Sequence, residues 1–176
     1  MNTSQLQCCI DCDPLLRRHI LGVYAADKLP NIFPFYPCGF IANTDEHKSP
    51  GRHWIAFYLP KQGRVECFDS YGQSPELYNS WISSWLQKHF TYVIWNTSPI
   101  QSDFSNVCGL YSLYFLRERL IGQTLRDVVE TFHPTNLRHN DIFIFNLFQR
   151  LFPHCVHKKC LLNQGCTKRM FTLNIY

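Results

Sequence analysis

The sequence predicts an α+β fold, a central mixed sheet flanked by helices. Three observations predict it. Strand-like segments gather in the middle of the chain, helical periodicity lies on both sides of them, and the regular strand–helix alternation of a doubly wound parallel sheet is missing. The 176 residues are expected to form one domain over 1–176, with a basic C-terminal region from about residue 150. A chain of this length buries roughly 70% of its unfolded surface, so its core needs no disulfide staple. Hydrophobic residues make up 45% and aromatics 15%, which suits a packed interior. Charged residues at 17% fall below the ~25% of average soluble domains, against the pattern of disorder.

The elements follow from local chemistry. Residues 4–12 suit a short helix, and Asp13-Pro14 caps a second turn. The apolar run CGFIAN, within Tyr36 to Asn43, reads as a strand, and the polar stretch Thr44 to Arg52, with Pro50 and Gly51, as a loop. His53 to Leu59 and Arg64 to Phe68 read as two strands of a hairpin around Pro60-Lys61-Gln62-Gly63. Ser74-Pro75-Glu76 predicts a helix start, continued by Leu77, Trp81, Ile82, Trp85 and Leu86 at helical spacing through Lys88. Tyr92 to Trp95 is a short strand, and Val107 to Leu120 is a broadly apolar, central helix. Thr124 to Asp127 reads as a capping box before VVETF, and Asn140 as the cap of a last helix from Asp141 to Phe152.

Composition also sets where the chain is expected to work. No run reaches the ~18–20 apolar residues of a membrane span. The start, MNTSQLQCCIDCD, has neither the basic nor the apolar region of a secretory signal. An unsecreted protein with nine cysteines is expected to keep most of them as thiols, the buried ones acting as small hydrophobes. Net charge is +4, and no acidic residue follows Asp141, while Arg150, Lys158, Lys159, Lys168 and Arg169 do. That basic region is a candidate polyanion surface, non-specific DNA included, or a solvated face.

Four residues in chain order carry candidate chemistry: His53, Asp69, Gln101 and Cys108. Cysteine attack on an amide needs a thiolate, a base, a group that orients the base, and donors for the developing oxyanion. Cys108 precedes Gly109 and an apolar helical run, so it is expected at a helix N-terminus, where the dipole and orphan N–H groups favour thiolate. His53 is the candidate base and later acid, and Asp69 the group that accepts from its second nitrogen. Gln101, seven residues before Cys108, is the candidate oxyanion donor beside the Cys108 backbone N–H. If 53–59 and 64–68 pair as a hairpin, His53 and Asp69 leave it at adjoining open ends, within hydrogen-bond reach. Singly, each reads as well as a structural histidine, a turn aspartate, a core thiol or a capping glutamine. Their joint order is the specific signal.

The segments LGVYAADKLP, GFIANTDEHKSPGRHWIAFYL, FDSYG, Q-x6-CGLY and a late helix ending in LFP resemble, in order and spacing, the adenovirus-type cysteine proteases. This adenain family includes relatives in other DNA viruses and in Polinton/Maverick-type elements. The resemblance covers most of residues 10 to 155. It implies that His53, Asp69 and Cys108 form a catalytic triad in permuted order on a papain-like, adenain-like fold, with Gln101 in the oxyanion hole. It further implies a monomeric endopeptidase of host nucleus or virion that cleaves viral precursor proteins, commonly after glycine, during particle maturation. No cofactor is required for the chemistry, and DNA or a viral peptide is the family's activator. Two departures stand out. Asp69 occupies the place of the adenoviral Glu, and HFTYVIWNTSPIQ lacks the cysteine that tethers the adenoviral peptide.

Three other readings compete. The SUMO and ubiquitin-like proteases share the His-Trp, Asp, Gln and Cys-Gly elements but usually carry Asp where Val107 stands here. A nucleic-acid-binding protein that keeps the protease fold would use the basic region with Phe152, Phe171 and Tyr176. Finally, Cys9-x2-Cys12 with His154, Cys155, His157, Cys160 and Cys166 offers zinc ligands. The irregular spacing of HCVHKKC favours free thiols and surface histidines over a metal.

Overall fold

A computed structural model describes residues 1–156. Five strands form one sheet in chain order: β1 (Ile20–Tyr24), β2 (Cys38–Asn43), β3 (Trp54–Lys61), β4 (Arg64–Phe68) and β5 (Tyr92–Trp95). The two outer pairs are parallel and the two inner pairs antiparallel. Among the described residues six α-helices flank it: α1 (Thr3–Cys12), α2 (Pro14–His19), α3 (Ser80–His89), α4 (Cys108–Leu120), α5 (Leu125–Glu130) and α6 (Leu137–Leu151). This is the expected α+β architecture with a central mixed sheet.

The strands show why β3 reads as an unbroken apolar run. Both faces of the sheet are covered, so both alternating sets of side chains are buried. Ile41, Ala56, Tyr58 and Phe68 face a core built with α1, α2, α4 and α6. Phe40, Ala42, Ile55, Phe57, Leu59 and Val65 face a second core closed by Ile82, Trp85 and Leu86 of α3. The expected β3–β4 hairpin is present, with Ala56 opposite Phe68 and a register irregularity between Tyr58 and Lys61, and Gly63 takes the left-handed turn conformation at φ +73°.

Helix α4 lies against the middle of the sheet and fixes its own height there. Phe115 stacks on Phe68 with centroids 4.7 Å apart. Near the C-terminal end of α4, Arg119 grips buried Glu66 through two hydrogen bonds of 2.6 and 2.9 Å. The fork holds β4 to the helix as a planar bidentate pair. At its other end α4 meets α1, where Leu6 lies so close to Gly109 that a Cβ there would stand 2.9 Å from Leu Cδ2.

Three element boundaries differ from expectation. Ser74-Pro75-Glu76 opens only a 3₁₀ turn, Pro75–Leu77, and α3 starts after Asn79, whose side chain accepts from the Ile82 N–H. The last helix starts at Leu137 under an Asn136 cap, because Asn140 is buried and spends its amide elsewhere. Strand β1 was not expected, since ILGVY follows α2 without a turn residue between them. One cystine, Cys8–Cys155, joins α1 to the turn after α6, where thiols were expected.

Gly39 on β2 is the tightest glycine in this core. A Cβ there would lie 2.6 Å from Leu116 Cδ2 and 2.8 Å from the Phe57 carbonyl oxygen. Gly39→Ala is expected to cost about 1–3 kcal/mol, the range of overpacked cores. Urea unfolding followed by circular dichroism measures it as a lower midpoint at unchanged slope.

Candidate active site

The sheet's end beside the start of β3 gathers the candidate residues. His53 stands immediately before β3, its carbonyl accepting from the Thr44 N–H at 2.9 Å. Asp69 stands immediately after β4. Because the two strands are antiparallel and in register, both residues leave the sheet at the same end. There His53 Nε2 and Asp69 Oδ1 lie 2.7 Å apart, both buried. Helix α4 brings its first residue, Cys108, to the same place. The Ser112 hydroxyl donates to the Trp54 carbonyl at 3.3 Å, tying the helix's first turn to the residue after His53. The Cys108 thiol interacts with His53 and with the Trp54 backbone. With Nε2 committed to Asp69, Nδ1 is the ring nitrogen left for the sulfur.

Three charge equilibria couple here. Burial alone would lower the His53 pKa, but hydrogen bonds to Asp69 and Cys108 and their charges outweigh it, and the imidazole is pushed up to about 9. Burial alone would raise the Cys108 thiol. The hydrogen bond and charge of His53, with the Trp54 backbone, bring it below the ordinary thiol value. Asp69 is likewise opposed by burial and still lowered, by His53, Tyr78 and the Tyr71 backbone. The three shifts favour thiolate, imidazolium and carboxylate, each charge beside its opposite.

Asp69 is held from every side. Oδ1 also accepts from the Tyr71 N–H at 2.8 Å, and Oδ2 accepts from the Tyr78 hydroxyl and the Gln73 N–H. Asn96 clamps the aspartate's backbone, accepting its N–H at 2.9 Å and donating to its carbonyl at 2.7 Å. Tyr71 and Tyr78 lie over the imidazole with centroids 4.7 and 5.8 Å from it. Such π-faces favour the cationic ring.

Gln101 is fully buried and bonded to Tyr71, whose ring lies over the imidazole. Its carbonyl accepts from the Ser70 hydroxyl at 2.6 Å, and its amide donates to the Ser105 carbonyl at 2.9 Å and to the Tyr71 hydroxyl at 3.2 Å. The segment carrying it is pinned by Asn140, which donates to the Ile100 carbonyl at 3.0 Å. Asp141 accepts from the Ser102 and Tyr111 hydroxyls.

All four predicted residues thus converge. Tyr71, Tyr78, Asn96 and Ser70 were not singled out from the sequence, and Asn140 and Asp141 were read there only as a helix cap and start and as the last acidic residue. Tyr71 within FDSYG carried the nearest available signal, a polar aromatic two residues after the candidate aspartate. The basic-region residues Lys158, Lys159, Lys168 and Arg169, and the proposed ligands His157, Cys160 and Cys166, lie outside the described residues. Among the described residues no helix is long and apolar enough to cross a membrane.

No protein-family model matches the chain. It is similar to the protease of Fowl adenovirus A serotype 1, 32% identical over 114 residues that make up 57% of this chain and 55% of that protein. It is also similar to the cysteine protease of an African swine fever virus tick isolate from Malawi, 29% identical over 54% of this chain and 39% of the relative. The counterpart in a pig isolate from Kenya, named a SUMO-1 cysteine protease, is 28% identical over the same shares. Two crystal structures of the African swine fever virus protease align with 25% and 22% identity and TM-scores of 0.43 and 0.45. They cover 59% and 61% of this chain and 43% and 42% of those chains. The chain spans about half, or less, of the length of these relatives. The relatives are viral cysteine proteases, and they bear out the resemblance to the adenain type that the sequence carries.

The ion pair has a measurable signature. The rate of Cys108 alkylation by iodoacetamide, read by peptide mass spectrometry, is expected to rise through a midpoint below the ~8.5 of a free thiol. In His53→Ala that midpoint moves upward, because the largest lowering contribution is lost while burial remains. Any step that needs the imidazolium proton fades as pH rises through about 9.

Proposed function

We propose that the chain is a cysteine endopeptidase acting on protein substrates. The observation that carries this reading is the buried His53–Asp69 hydrogen bond of 2.7 Å beside Cys108, whose thiol interacts with that imidazole. The Cys108 thiolate attacks the scissile carbonyl carbon, and the oxygen takes up the negative charge. Its donors are the backbone N–H of Cys108, at the α4 N-terminus, and the Gln101 amide. His53 then gives its proton to the leaving amine, and a thioester remains. Neutral His53 next takes a proton from water, the hydroxide attacks the thioester, and the thiolate and imidazolium return with the acid product released. Asp69 keeps Nε2–H in place throughout, so that Nδ1 always faces the sulfur.

Viral precursor proteins, cut after glycine during particle maturation, are the substrates that the adenain resemblance supports. The reading requires no cofactor for the chemistry, and DNA or a viral peptide is its candidate activator. The cysteine-free stretch from His89 to Gln101 disfavours a disulfide tether for that peptide at this place. A second reading, cleavage of SUMO-like proteins, draws on the name of three African swine fever virus relatives. Val107, where Asp is usual in that class, weighs against it.

A panel of glycine-containing precursor peptides and a SUMO fusion, each assayed with and without duplex DNA, decides between the two. Peptide cleavage is expected, and exclusive SUMO cleavage would favour the second reading. Cys108→Ala and His53→Ala should each lower turnover by roughly 10⁴-fold or more at unchanged fold. Normal cleavage by Cys108→Ala would remove the proposed nucleophile. Gln101→Ala should lower kcat by about 10²–10³-fold, the usual loss of one oxyanion donor.

A further inference from the structure

Away from the candidate active site, three cysteine sulfurs converge. Cys8 and Cys12 lie one turn apart on α1, and Cys155 lies in the turn after α6. Their Sγ atoms are all within 4.8 Å of one another. Cys9, the expected partner of Cys12, instead faces the core and is fully buried. The spacing explains the exchange: positions i and i+4 share a helix face, as in the His-x3-His pairs that hold zinc.

A cystine occupies Cys8 and Cys155, and it leaves Cys12 beside both of its sulfurs. A thiolate there can attack either sulfur, so the cystine is exposed to exchange. A small-molecule thiol can reduce it by two successive exchanges, leaving as its own disulfide, and the three thiolates then left in one place repel each other and call for a soft cation. Zinc answers with short bonds to sulfur and tetrahedral coordination, and cadmium or cobalt would substitute for it. We propose that reduced Cys8, Cys12 and Cys155 form a thiolate metal site, with zinc as its ligand, that clips the N-terminal helix to the end of α6. Water completes the fourth position. Metal and cystine exclude each other, since both use Cys8 and Cys155. Binding releases the thiol protons and joins segments 147 residues apart, so the loaded chain resists unfolding more than the empty one. None of this depends on the protease reading.

The test uses the full 176-residue chain, reduced with a phosphine and titrated anaerobically with Co²⁺ and then Zn²⁺. One equivalent of Co²⁺ is expected, with sulfur-to-cobalt charge-transfer bands and intense tetrahedral d–d bands that Zn²⁺ abolishes. Outer-shell losses already cost roughly 10–100-fold in metal affinity, so loss of a ligand should cost at least tenfold. Cys12→Ser, at an exposed position, should therefore bind at least tenfold more weakly while keeping its circular dichroism spectrum, and Cys8→Ser likewise. Undiminished binding by both variants overturns the proposal, and so does a reduced chain that takes up no Co²⁺. Binding lost in Cys160→Ser/Cys166→Ser but kept in Cys12→Ser would place the metal elsewhere and overturn it too.

Discussion

The hydrogen bond between His53 Nε2 and Asp69 Oδ1 is the constraint on which the rest of this end of the molecule depends. Both groups are buried, so neither can turn to water if the other is lost. An uncompensated buried charge of this kind costs about 3–5 kcal/mol. The fold offsets that hazard by surrounding the carboxylate with donors. Asp69 accepts from an imidazole, a phenol and two backbone N–H groups. A carboxylate so satisfied stays ionised, and an ionised Asp69 keeps the imidazole protonated. The imidazolium in turn lowers the thiol. The electrostatics of three residues thus follow from one turn after β4.

That turn is positioned by segments far away in sequence. Asn96 pairs with the Asp69 backbone, and the Ser70 carbonyl accepts from the N–H groups of Ile100 and Gln101 at 2.9 and 3.1 Å. Gly72 adopts φ +69°, and a Cβ there would lie 2.8 Å from the backbone carbons of Thr97 and Ser98. The close approach of the two loops therefore requires glycine. The 96–102 segment is braced from behind by α6 through Asn140 and Asp141. Cys108 is located independently, by the packing of α4 on β3 and by the Arg119–Glu66 fork. The thiol and the imidazole meet because two separate frameworks, loop and helix, are both referenced to β3.

The sheet and helices were legible where periodicity decides them. The β3–β4 hairpin, α4 and the α5 capping box lie where the sequence places them, because apolar spacing and turn residues act locally. Asn140 misleads for a physical reason. An asparagine before an apolar run matches a cap, yet here its amide serves the His133 and Ile100 carbonyls across 7 and 40 residues. The true cap, Asn136, has the same chemistry, and only burial separates them. The four candidate site residues were legible through their order. Their supports were not, because Tyr71, Asn96 and Asp141 act through contacts that no local pattern encodes. Cys8 was passed over for Cys9 because Cys-x2-Cys is a sequence habit, whereas a helix face repeats at four.

Gln101 shows how such a support shapes a proposed role. Its carbonyl is bound to the Ser70 hydroxyl, and one amide proton goes to the Ser105 carbonyl, an acceptor with no proton to offer. The amide therefore cannot flip without losing both bonds. Its second proton goes to the Tyr71 hydroxyl, which differs in kind, since a hydroxyl can rotate and accept from or donate to something else. In the proposed reading, a substrate oxygen arriving beside Cys108 takes that proton while Tyr71 turns away, leaving the other two bonds intact. The donor is thus held ready and occupied at once. Replacing one acceptor with another in a buried site costs far less than ordering a free amide from water, which is the advantage of preorganised donors.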